Sequence, residues 1–198
     1  MKKQLLLFMM MLLPMVVNAD QSGTCGNNVT WNYEEAKMTL TITGKGPIDD
    51  YSRSSGSDSS PWSKYRDRIK DVVIDAGVTS IGGYAFASCI NLTSVTIPNS
   101  VTCIGANAFV GCSSLASVAI PNSVTSIGFG TFQNCSGLTS IIIPNSVSYI
   151  GDYAFNNTAW YNSQPDGVVY AGLVAYKFKG TMPDNTSITK VSHPLRVV

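Results

Sequence analysis

The sequence predicts an α/β solenoid: an array of 23-residue coils that build a parallel β-sheet, with an N-terminal β-hairpin cap and a C-terminal hairpin insertion. Three observations lead there. VTSIGGYAFASCINLTSVTIPNS from Val78, VTCIGANAFVGCSSLASVAIPNS from Val101 and VTSIGFGTFQNCSGLTSIIIPNS from Val124 follow one another without insertion or deletion. Twelve of the 23 positions are identical in all three, and self-similarity at a fixed period of roughly 20 to 50 residues marks stacked supersecondary units. Within each copy a period-2 alternation such as LTSVTI gives way to a denser apolar cluster such as ANAFVGC, the mark of a strand followed by a turn of helix.

The chain opens with Lys2 and Lys3, an apolar run from Leu5 to Val17 and small residues up to Ala19. That pattern reads as a secretory leader cleaved after Ala19, its 13-residue run being too short for the roughly 20 residues of a spanning helix. The expected partition is a signal peptide at 1–19, a cap with hairpin and Ser-rich loop at 20–68, repeat coils at 69–160, and a hairpin insertion with a truncated repeat stub at 161–198.

In the cap, VTWNY and MTLTIT alternate apolar and polar residues across a short polar connection, which predicts a hairpin with Val29, Trp31, Tyr33, Met38, Leu40 and Ile42 facing inward. Gly44-Lys45-Gly46-Pro47 should break that sheet, and DDYSRSSGSDSS from Asp49 reads as a solvated loop. Trp62 and Tyr65 are expected over the open end of the first coil. IKDVVIDAG from Ile69 carries the repeat register one strand upstream of the first full copy, placing Ile69 at the Leu92 position and Val72 at the Val95 position.

In a full coil, Leu92, Val95 and Ile97 should point inward, Pro98-Asn99-Ser100 should turn the chain, and Gly105 should relax the backbone before ANAFVGC buries Ala108, Phe109 and Cys112. Asn99, Asn122 and Asn145 fall in register at the turn, where their amides can bond from coil to coil. The fourth copy starts correctly at Val147 and departs after Phe155, and GVVYAGLVAYKFKG from Gly167 reads as the second hairpin with Ala171-Gly172 near its turn.

Composition narrows the function. The formal charge of +1 becomes −1 on loss of Lys2 and Lys3, and no charged residue lies between Ala76 and Gly151, so neither nucleic acid nor an anionic membrane surface is an expected partner. His193 is the sole histidine, which leaves no His-based triad or metal site in the repeats. Adjacent acids at Glu34-Glu35 and Asp49-Asp50 sit in turns, where carboxylates are ordinarily solvated. The chain therefore reads as a non-enzyme with no cofactor. Cys89, Cys112 and Cys135 recur at the repeat period and read as a ladder of small buried side chains rather than disulfide partners.

The copies fit L-x-S-V/I-x-I-P-N-S-V-T-x-I-G-x-x-x-F-x-x-C, and outside them stand TWNY…MTLTITGKG, PWSKYRDRIKDVVIDAGVTSIG and AWYNSQPDGVVYAG…VAYKFKGTMPDNTSI. In these motifs, from about Val29 to Lys190, the chain resembles the BspA-type leucine-rich repeat family of bacterial and protist surface proteins. The resemblance implies a secreted or surface-displayed scaffold that binds host or matrix proteins, or other cells. Outward strand residues of a leucine-rich repeat line one extended face. The candidate protein-binding face is therefore Ser94, Thr96, Ser117, Ala119, Ser140 and Ile142, with Asp71 and Val73 prolonging the two rows. The expected partner is an extracellular protein or cell-surface ligand, with a glycan or a spacer role in an envelope assembly as alternatives. Tyr84, Phe129 and Tyr153 vary around the I-G-x-x-x-F turn and could serve either contact or packing.

Overall fold

The computed structural model describes residues 21–52 and 60–181. The leader at 1–19, most of the Ser-rich loop, and the stub with His193 lie outside the described residues. The strands are β1 (Gln21–Gly26), β2 (Val29–Glu34), β3 (Thr39–Gly44), β4 (Gly46–Pro47), β5 (Asp71–Ile74), β6 (Val78–Ile81), β7 (Ser94–Thr96), β8 (Cys103–Ile104), β9 (Ser117–Ala119), β10 (Ser126–Ile127), β11 (Ser140–Ile142), β12 (Tyr149–Ile150), β13 (Gly167–Ala171) and β14 (Val174–Lys179).

These strands fall into two columns. One sheet runs β1-β2-β3-β5-β7 and is continued by the β9–β11 pair; the other runs β12-β10-β8-β6-β4 and is parallel throughout. Each of the three full coils therefore contributes one strand to each column, three residues to the first and two to the second, except that β6 of the first coil has four. Leu40, Val72 and Val95 are in register across β3, β5 and β7. The repeat geometry thus begins earlier than the sequence reading placed it: β3 is both the second strand of the hairpin with β2 and the first strand of the parallel column. The chain leaves the hairpin sheet after Gly44, as expected, and Gly46 and Pro47 carry it into the second column, beside β6.

The α/β expectation is corrected. Among the described residues the helical segments are a 3-10 turn at Ser63–Tyr65 and one short helix, α1 (Ala159–Asn162), so the fold is nearly all sheet. The cause lies in where the backbone donors go. In ANAFVGC the N–H groups of Asn107, Phe109 and Gly111 donate to the carbonyls of Phe129, Thr131 and Gln133 in the next coil at 2.7 to 2.9 Å, and the equivalent groups of the neighbouring coils do the same. Two residues per coil also take a left-handed backbone: Tyr84, Asn107, Gly130 and Tyr153 at one position, Ser88, Gly111, Asn134 and Asn157 four residues on. A left-handed residue every four interrupts any right-handed helix.

The interior is one continuous core. Trp62, Phe86, Phe109, Phe132 and Phe155 form a column of rings with centroids 5.2 to 5.9 Å apart and interplanar angles of 4 to 21°. Trp62 takes the place expected of it against the first coil, its Nε1 donating to the Ala85 carbonyl at 2.8 Å, and Tyr65 stacks on Tyr33 at 4.7 Å. At the other end Trp160 and Tyr176 close edge-on against Phe155. Val29, Trp31, Tyr33, Leu40 and Ile42 are buried as expected, whereas Met38 is exposed in the connecting turn, where its φ of 55° swings it away from the core. β1, which pairs antiparallel with β2, was not foreseen.

Two repeat positions act differently from expectation. Gly105 has no left-handed φ; instead a Cβ placed on it would meet the backbone nitrogen of Gly83 at 2.6 Å and the carbonyl carbon of Gly82 at 2.8 Å, while its own N–H donates to the Ile81 carbonyl at 2.8 Å. Gly128 repeats this against Ala106 and Gly105, and Gly151 against Phe129 and Gly128. The glycine is there because two coils touch backbone to backbone. At the Pro-Asn-Ser turn the asparagines are exposed, and it is the serines that join the coils: Ser123 donates to the Val101 carbonyl at 2.6 Å and Ser146 to the Val124 carbonyl at 2.9 Å.

Gly105→Ala is expected to destabilise the chain by about 2 kcal/mol or more through this overlap, lowering the melting temperature by roughly 4 to 8 °C. An unchanged melt would show that the coils need not approach so closely.

Candidate functional site

The outward rows of the first column follow from strand alternation. With Val95, Val118 and Ile141 packed on the core, the residues on either side must face away. Ser94, Thr96, Ser117, Ala119, Ser140 and Ile142 are all exposed. Asp71 pairs with Ser94 and Val73 with Thr96 across β5 and β7, while Ser117 pairs with Ser140 and Ala119 with Ile142 across β9 and β11. The six residues therefore form two in-register halves; β7 and β9 lie side by side without a shared ladder.

The rows extend further than the strand pattern of the repeats indicates. Thr39 and Thr41 of β3 stand beside Asp71 and Val73, and Glu34 and Asn32 of β2 stand beside those threonines. Reading MTLTIT as a hairpin strand alone hid this, since its period-2 pattern is the same whichever neighbour it has. Ile142, at 67% exposure, is the most exposed large apolar residue described, and it lies on the last strand of the column.

The face presents hydroxyl, methyl and backbone groups. Charge is confined to its N-terminal side, where Lys37 pairs with Glu34 at 2.7 Å and Arg68 with Glu35 at 2.8 Å. Among the described residues no three His, Cys, Asp or Glu side chains come together as a metal site would require.

The thiols sit elsewhere. No disulfide is formed. Cys89, Cys112 and Cys135 are buried one above another, the thiol of Cys112 donating to the Phe86 carbonyl at 3.2 Å and that of Cys135 to the Phe109 carbonyl at 3.0 Å. Burial pushes the Cys112 thiol well above its ordinary range, and burial followed by the nearby Asp49 carboxylate pushes Cys25 up to about 12. Such thiols are poor nucleophiles. Cys103 alone is half-buried, within 3.3 Å of the Ser126 hydroxyl.

Tyr84, Phe129 and Tyr153 lie off this face, on the turns that follow the second-column strands. Tyr84 is half-buried, whereas Phe129 and Tyr153 are exposed and touch.

A model of the BspA type leucine rich repeat region matches residues 63–164, just over half of the chain, in six copies. No curated protein matches. Among solved structures, the chain is similar to a leucine-rich repeat protein from Eubacterium ventriosum, with 31% identity over 67% of this chain and 40% of that one and a TM-score of 0.53. It is also similar to the T. pallidum leucine rich repeat protein, with 28% identity over 64% of this chain and 63% of that one and a TM-score of 0.47. A third likeness is to a leucine rich cell surface protein from Faecalibacterium prausnitzii, with 27% identity, coverage of 70% and 47% and a TM-score of 0.39. The chain spans less than two thirds of the length of each. No helix among the described residues is long and apolar enough to cross a membrane.

In the native protein a thiol probe at about pH 8 should label Cys103 and leave the other four thiols until denaturant is added; fast native labelling of a ladder cysteine would contradict the burial. A folded-state pKa raised above the unfolded value means that the unfolded chain gives up its proton first. The Cys25 contribution is thus constant below about pH 9 and is lost as pH rises toward about 12, so the denaturation midpoint should fall above about pH 9. A midpoint that rises there would reverse the sign.

Proposed function

From the membership of this chain in the BspA-type leucine-rich repeat family, we propose that it is a secreted or surface-displayed scaffold that binds an extracellular protein or cell-surface ligand through its outward strand rows, without catalysis. The observation that supports this reading most is a division of labour within the repeat. Identical positions such as Val101, Ile104, Phe109, Cys112 and Leu115 are buried, and the strand positions left outward form two in-register halves, Ser94 and Thr96 beside β5 and Ser117, Ala119, Ser140 and Ile142 together, uncharged within the repeats. Contact on such a face would rest on shape, hydroxyl hydrogen bonds and close backbone approach, and so would depend little on salt. Export is supported by the leader-like residues 1–19.

The test is a surface array of matrix and host proteins probed with the purified chain. Retention of one or more proteins is expected, and Thr96→Arg with Ala119→Arg should weaken it by about tenfold or more, with little change in the melt because both sites are exposed strand positions. Retention unaffected by the two arginines would take the strand face out of consideration.

A further inference from the structure

The first left-handed position of each coil is not filled evenly. Asn107 and Gly130 occupy it in the second and third coils, and both residue types accept such a backbone at low cost. Tyr84 and Tyr153 occupy it in the first and fourth, with φ of 55° and 61°. A bulky residue there is strained, and strained residues persist where something else retains them. For Tyr153 that is not burial: it is 45% exposed.

The ring of Phe129, itself 46% exposed, meets the Tyr153 ring edge-on with centroids 5.4 Å apart. The Lys177 ammonium lies over the Tyr153 ring, 5.3 Å from its centroid, and over that of Tyr161 at 5.8 Å, and it donates to Asn156 Oδ1 at 3.1 Å. Asp152, Tyr153, Tyr176 and Lys177 line a hollow of ≈ 170 Å³. Its floor is fixed, since the buried Tyr176 hydroxyl accepts the Phe155 N–H at 3.0 Å and the Tyr176 ring packs on Phe155.

We propose that this hollow binds one pyranose ring of an extracellular saccharide. The lining sets the part of the Tyr153 ring left exposed beside a carboxylate that accepts hydrogen bonds and an ammonium that donates them. A sugar ring has both complements, a C–H face and a rim of hydroxyls. An apolar peptide segment would desolvate both charged groups. The volume lies below the roughly 300 Å³ at which drug-sized sites begin, so a single ring is the occupant, with avidity supplied by repeated display. The site is distinct from the strand rows and stands or falls without them.

The test uses the full chain on an array carrying neutral, N-acetylated and acidic oligosaccharides alongside proteins, comparing it with Tyr153→Asn, Phe129→Ala and the Thr96→Arg, Ala119→Arg double variant. At least one saccharide class should be retained, retention should fall about tenfold or more in the first two variants, and the double variant should bind it as the parent chain does. Because Asn107 already fills the equivalent position, Tyr153→Asn should melt at the same temperature or higher. Absence of saccharide retention, or retention unchanged in Tyr153→Asn, would overturn the proposal. So would a lower melt of Tyr153→Asn, which would make the ring a packing element, or a Tyr153-dependent retention of proteins and no saccharide.

Discussion

The closest approach between neighbouring coils governs the structure. Where Gly82, Gly105, Gly128 and Gly151 stand, the backbone of one coil lies against the backbone or turn of the one before, with no room for a Cβ. That contact sets the spacing at which every other layer must work. At that spacing phenylalanine rings stack face to face, the thiols of Cys112 and Cys135 reach the carbonyls of Phe86 and Phe109, and threonine hydroxyls reach the carbonyl one coil back, as Thr102 does to Thr79 at 3.3 Å. Each bond is small, and repetition makes the sum large. A residue that suits one coil suits all of them, which is why the inward positions repeat so closely.

A stack held this way has a difficulty only at its ends, where a coil's aromatic face would meet water. Both ends are closed by larger rings, Trp62 on Phe86 and Trp160 with Tyr176 on Phe155. The charge pattern follows the same logic. Between coils a charged side chain would stack on its own copy at like sign and close range, an unfavourable arrangement, and the stretch from Ala76 to Gly151 holds none. Chemical variety is thereby displaced to the flanks, where the Tyr153 hollow lies, and to the few outward positions that differ between copies, such as the Thr96, Ala119, Ile142 row of the strand face.

Much of this was legible in the sequence. The period gave the coil, alternation gave the inward residues of the strands, and Trp62 gave the covering of the first coil, whereas Tyr65 turned out to stack on Tyr33 of the hairpin. The rest depended on partners that a one-dimensional pattern does not show. ANAFVGC has the apolar spacing of a helical turn, and only its donors to the next coil and its left-handed Asn107 and Gly111 make it something else. Two-residue strands such as Cys103–Ile104 are too short to alternate, so the second column was invisible. The serine of Pro-Asn-Ser and its asparagine are equally plausible donors on paper; geometry selects the serine. The exposure of Ser94, Thr96, Ser117, Ala119, Ser140 and Ile142 was predictable because alternation fixes it, whereas the separation between β7 and β9 and the extension onto Thr39 and Thr41 were not.

If coil-to-coil contact is what holds the chain, the coil itself is the unit that can be removed. The most direct measurement is a thermal melt, followed by near-ultraviolet circular dichroism, of a chain lacking Val101 to Ser123, which joins Ser100 to Val124 in register. A cooperative melt at a lower temperature, with the aromatic signal kept, is the predicted result. Loss of the folded signal, or an equally stable product when only the first half of that segment is removed, would contradict it.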